Sequence, residues 1–212
     1  TGMIANAPPP TGLERARARL RNFDTREIAW QTEVIRANTT PTRLDATVPE
    51  AGFPARTEIP VAASKDIFMS EAGRIATELS ERAIRCGTEA AWLGLDWLGD
   101  AETFQLGCVG SDLYNGTCGI AVFLAAHAAI SGHAPSAELA LAAVAHLRGR
   151  LKGRDAARFA RLLGIGGASG LGSVIYGLAV LSDSLRDDGL LDDAAVAARL
   201  TTDDVITADK RL

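Results

Sequence analysis

The chain has 212 residues, with 22 Lys or Arg against 26 Asp or Glu and a formal net charge of −4. That near-balance excludes the basic field that binding to nucleic acid or an anionic membrane surface demands. Apolar residues reach 47% while aromatic residues stay at 5%, a composition of closely packed helices rich in Ala and Leu.

In chain order, Leu13, Ala16 and Leu20 place an apolar stripe on a short helix whose other face carries Arg15, Arg17, Arg19 and Arg21. No aromatic residue interleaves these arginines, so they read as a solvated face with no nucleic-acid role. Asp24 followed by Glu27 is a capping-box-like start for a second helix, with Ile28, Gln31 and Ile35 on one side and an end near Asn38. Residues 39–63 contain Pro41, Pro49, Pro54 and Pro60 without periodicity, and divide the chain into residues 1–38, a linker, and residues 64–212. Ser64 is placed to cap a helix in which Ile67, Phe68, Ala72, Ile75, Leu79 and Ala83 keep helical spacing until Gly87. Residues 90–98 alternate in period two, and residues 104–109 form a second strand across a Gly99-Asp100 turn; this hairpin is the one β-element expected. Helices are expected over 116–131, 136–152, 155–163, 168–186 and 190–200. Thr1 and the uncapped run Asp203 to Leu212 suggest an excerpt of a longer protein.

An internal repeat stands out. Gly116 and Gly119, in the run Ser111-Asp112-Leu113-Tyr114-Asn115-Gly116-Thr117-Cys118-Gly119-Ile120, match Gly167 and Gly170 at a separation of 51 residues. The apolar positions Ile120, Phe123 and Leu124 then coincide with Leu171, Val174 and Ile175. A period near fifty with no strand inside it reads as a repeated helical hairpin. The glycines mark helices that begin close to another backbone. Asp112, Tyr114 and Asn115 precede such a helix and are candidate substrate-lining residues, with helix capping as the alternative for Asp112 or Asn115. Cys86, Cys108 and Cys118 form no Cys-x-x-Cys pair, and their odd number speaks against a disulfide framework. With no apolar run of about 18 residues and no basic-then-apolar leader, a reducing, cytoplasmic setting is expected. Cys118 reads as a small buried side chain and His127 falls on the apolar face of its helix. The pair lacks further partners at ligand spacing, so neither a metal site nor a catalytic residue is assigned within the chain. Arg148, Arg150, Lys152, Arg154, Arg158 and Arg161 read as a solvated helix face, with peptide contact as the alternative.

Taken together, Ala90-Ala91-Trp92-Leu93-Gly94-Leu95, Gln105-Leu106, Asp112-Leu113-Tyr114-Asn115-Gly116 with Gly119-Ile120-Ala121-Val122-Phe123-Leu124-Ala125, and Gly167-Ala168-Ser169-Gly170-Leu171-Gly172 make the chain resemble the lanthionine synthetase C-like family. More narrowly, it is similar to the class II bifunctional lanthipeptide synthetases, which make bacteriocin-type peptides; Asp24 to Arg36 looks like the closing helix of their dehydratase half. The resemblance implies an all-α fold, a partial α/α toroid of inner and outer helices with a small β-hairpin before the first glycine repeat. It implies a cyclase that adds Cys thiols of a ribosomal precursor peptide to dehydroalanine or dehydrobutyrine. Zinc is the implied cofactor of that step, with its ligands expected beyond Leu212, and ATP and magnesium are implied for the dehydratase. The implied partners are the precursor peptide and the remainder of the same polypeptide, with no nucleic acid and no transmembrane segment. Two other functions share the architecture: a non-catalytic toroid that binds peptides or proteins, and an α/α-toroid glycosidase, which would need carboxylates and exposed aromatics at the ring mouth.

Overall fold

The computed structural model describes residues 11–21, parts of 24–35, 64–98 and 103–209. The chain divides into two compact units, Thr1–Pro49 with Leu95–Leu106, and Glu50–Gly94 with Gly107–Leu212. The expected linker, residues 39–63, lies outside the described residues.

In the first unit α1 spans Gly12–Arg21. Thr11 and Glu14 start it as a capping box. The Thr11 N–H and hydroxyl donate to Glu14 Oε2 at 2.8 and 2.9 Å, and the Glu14 N–H donates back to Thr11 Oγ1 at 3.3 Å. The Thr11 backbone bond, then its hydroxyl, lowers the pKa of the Glu14 carboxyl. The apolar stripe of α1 is exposed at Leu13 and Leu20. Residues 28–32 are helical, and the Ile28 N–H donates to the Asp24 carbonyl at 3.0 Å, where the second helix is expected to begin.

In the second unit α2 runs Lys65–Arg82. Ser64 stands at its N-cap without a side-chain cap bond, and the helix stops before Gly87 rather than at it. The expectation of a helix continuing to Gly87 fails because Gly87-Thr88 is a hairpin turn. Strand β1 (Ile84–Cys86) pairs antiparallel with β2 (Glu89–Ala91) across it, Ile84 opposite Ala91 and Cys86 opposite Glu89. Gly87 takes φ +59°, a conformation that two-residue hairpin turns require and that glycine adopts without steric penalty. The single strand expected over 90–98 is therefore split at Trp92. That residue is 4% exposed, and its indole N–H donates to the Leu79 carbonyl of α2 at 2.8 Å. Beyond it β3 (Leu93–Leu98) pairs with β4 (Thr103–Cys108), as the alternation indicated.

The helices that follow are α3 (Thr117–Ser131), α4 (Ala134–Lys152), α5 (Ala156–Leu163), α6 (Leu171–Leu185), α7 (Asp188–Arg199) and α8 (Asp203–Ala208). Helices α3 and α6 each have 15 residues, and both their starts and the starts of α4 and α7 lie 54 residues apart. The period is thus 54, not 51. Gly116 and Gly170 are the equivalent N-caps, Ser173 takes the place of Gly119, and Gly167 corresponds to Leu113. The two Gly-x-x-Gly strings share spelling but not position.

Each repeat is a helical hairpin with one member packed on its counterpart: α3 contacts α4 and α6, α6 contacts α7, and α4 reaches α7. Ala121, Ala125, Ala140 and Ala143 let the helices approach closely, while Leu124, Leu139, Leu147, Leu171, Leu178, Leu181 and Leu190 fill the core and are at most 1% exposed. Burying each leucine contributes roughly 1.5–3 kcal/mol. The fold is mostly helical with small β-hairpins, and these two consecutive hairpins form part of an α/α toroid.

Candidate functional site: two joined glycine turns

Both repeated helices are entered through the same turn. In the first, the Thr117 N–H donates to the Gly110 carbonyl at 2.8 Å; in the second, the Leu171 N–H donates to the Gly164 carbonyl at 2.7 Å. The Asp112 carboxylate accepts the Asn115 N–H at 2.7 Å and holds the first turn internally. A Cβ at Gly116 would overlap the Asp112 backbone and one at Gly119 the Leu113 carbonyl, so both positions exclude any side chain. Ser173 performs the corresponding work in the second turn. Its hydroxyl donates to the Gly170 carbonyl at 2.6 Å and accepts the Gly170 N–H at 3.2 Å.

The turns are fastened to each other. The Tyr114 N–H donates to the Ala168 carbonyl at 3.1 Å, and the Leu113 N–H donates to Ser173 Oγ at 3.3 Å. The second turn is anchored further by the Ile165 N–H donating to the Asp209 carboxylate at 2.7 Å. The joined turns expose Tyr114, Asn115, Gly167, Ala168 and Ser169, whereas Asp112 is half-buried. Of the three candidate lining residues, Tyr114 and Asn115 therefore face outward while Asp112 shapes the loop. Neither Asp112 nor Asn115 caps α3, because Gly116 occupies that position. A phenol, an amide and a hydroxyl on a rigid platform can hydrogen-bond a peptide.

Below the platform Cys118 is fully buried, and its sulfur lies where a Cβ on Gly177 of α6 would fall. Burial, and secondarily the Asp112 charge, push its thiol up to about 12. It is a packing residue, neither nucleophile nor ligand. His127, 8% exposed, turns to Ser136, whose Oγ lies 2.9 Å from Nδ1 of both His127 and His133. Among the described residues no three His, Cys, Asp or Glu side chains gather at a point that could hold a metal. The described residues thus do not fit the implied zinc, and no step is routed through it.

The basic run of α4 is only partly a solvated face. Arg148 and Lys152 form ion pairs with Asp193 of α7, which is 0% exposed, and Arg150 lies 4.6 Å from the centre of the Phe159 ring. Asp193 was not singled out in the sequence, although a signal was present. It falls on the buried stripe of α7 with Leu190, Ala194 and Ala197, and a carboxylate in such a stripe requires a cation.

A sequence model of the family described as lanthionine synthetase C-like protein matches residues 107–209, a stretch that begins just before the first turn and ends at Asp209. No curated protein matches the chain. No helix among the described residues is long and apolar enough to cross a membrane. The matched stretch contains both turns, both helical hairpins and the Asp209 anchor, and over residues 107–209 the chain is similar to the lanthionine synthetase C-like family.

Proposed function

We propose that residues 107–209 are part of a peptide cyclase of the lanthionine synthetase type, and that the joined turns form a face along which the precursor peptide lies. The assigned reaction joins a Cys thiol of that peptide to the β-carbon of a dehydroalanine or dehydrobutyrine. The S–C bond forms as the C=C π bond breaks, and a proton is delivered to the α-carbon, so the peptide gains a thioether at unchanged mass. The role read for this chain's own residues is binding and orientation. On the same reading zinc takes its ligands from outside residues 1–212, and residues 1–38 close a dehydratase that uses ATP and magnesium. The protein then works in the cytoplasm on a ribosomal precursor.

One observation carries the reading: two turns 54 residues apart are hydrogen-bonded into one platform with Tyr114, Asn115 and Ser169 outward. The test is fluorescence anisotropy with the labelled precursor peptide encoded beside the gene. Tyr114→Ala and Asn115→Ala together should weaken binding at least about fivefold, on the scale of a lost aromatic contact and hydrogen bond, while Glu138→Ala on α4 should not. Equal affinity across the three proteins would remove the platform from the reading.

A further inference from the structure

A cavity of about 390 Å³ opens between the β1–β2 hairpin, the end of β4 and α4. Its body is apolar, with Ile84, Val109 and Leu147 among its walls. Two thiols, Cys86 and Cys108, line the same space, both exposed. The hairpin register sets Cys86 directly opposite Glu89, so the two side chains leave the same face of the hairpin as neighbours. Glu89 in turn reaches α4, where its Oε2 stands 3.4 Å from Nδ1 of His146. A carboxylate at Nδ1 favours the tautomer with the proton there and leaves Nε2 as the basic nitrogen. Thiol, imidazole and orienting carboxylate are the three parts of an activated cysteine, and all three line the same apolar cavity.

We propose that this cavity is a covalent capture site in which Cys86 adds to a small, uncharged, electron-poor alkene such as an α,β-unsaturated carbonyl compound. Nε2 of His146 takes the Cys86 proton, and the thiolate attacks the β-carbon. The S–C bond forms as the C=C π bond breaks, and the imidazolium returns its proton to the α-carbon. The product is a thioether on Cys86, and no oxidant or further reactant is consumed. An addition suits this constellation better than a displacement because the base that removes the proton also restores it, so no leaving group needs stabilisation. The apolar walls and the Glu89 carboxylate disfavour an anionic reagent.

N-ethylmaleimide and acrylamide are suitable probes, with adducts counted by intact mass and assigned by peptide mapping. Cys108 shares the cavity and the exposure, and serves as the internal reference. At pH 7 Cys86 should react at least about tenfold faster than Cys108. His146→Gln should slow Cys86 at least fivefold and leave Cys108 unchanged, and Glu89→Gln should slow Cys86 by a smaller factor. Should His146→Gln fail to fold by circular dichroism, the wild-type rate ratio and the Glu89→Gln effect decide alone. Equal rates at the two cysteines, or a Cys86 rate indifferent to His146, overturn the proposal.

Discussion

Cys118 is a thiol removed from chemistry by its surroundings. Its native proton is held up to about 12 by burial and then by Asp112, whereas an unfolded thiol ionises near about 8.5. Between those values the unfolded state binds fewer protons than the native state, so this residue makes stability fall as pH rises through that window. Denaturant melts from pH 8 to 11 should show that decline, and Cys118→Ala should flatten it; in native protein at pH 8 Cys118 should resist alkylation until unfolding. The glycines give a sharper contrast at the same scale. Gly119→Ala puts a methyl group into the Leu113 carbonyl and should cost about 1–3 kcal/mol. Gly149→Ala, inside α4 with nothing within 4 Å of the added carbon, should be neutral or stabilise by up to about 1 kcal/mol. Urea titration of the two variants checks both signs.

At the scale of elements, the α4–α7 clamp depends on one carboxylate. Asp193 is fully buried, Arg148 is 28% exposed and Lys152 is 54% exposed. Either cation can remain when the other is removed, so the single changes Arg148→Ala and Lys152→Ala should be mild, the lysine change the milder. Removing both strands a buried charge and should destabilise by about 3–5 kcal/mol, more than the sum of the singles. A double-mutant cycle by thermal melting reads this directly. The same elements show what the sequence carried and what it hid. Helix positions were legible because Leu139, Leu147 and Leu151 recur at helical spacing along α4 and Gly132 closes α3 in a left-handed conformation. The repeat was legible but its register was not. Ser173 replaces the second glycine of the first turn through hydroxyl bonds to Gly170, and no spelling rule equates Ser with Gly. Strand β1 was hidden because Ala83 also fits the helical period of α2, and only the pairing of Ile84 with Ala91 decides against it. The platform itself was half legible: Asp112, Tyr114 and Asn115 were visible as a motif, but Ala168 and Ser169 joined them only through bonds between turns 54 residues apart.

For the whole molecule, two hairpins repeat about a shared contact of α3 and α6 while apolar side chains remain on the surface. Ile130 is 65% exposed, Leu162 69%, Tyr176 59% and Leu191 53%. Exposed apolar groups on this scale predict concentration-dependent association of the 212-residue chain, measurable by light scattering coupled to size exclusion. Repeat architectures cover such faces with neighbouring repeats, and association should weaken in a longer polypeptide that supplies them. The central claim is that this unit serves a cyclase. It is tested most directly by giving the complete polypeptide that carries residues 107–209 its dehydrated precursor peptide and counting free thiols by alkylation and mass spectrometry. The account predicts that alkylatable thiols disappear while the mass of the unalkylated peptide stays constant; a folded, peptide-binding protein that leaves every thiol free would contradict it.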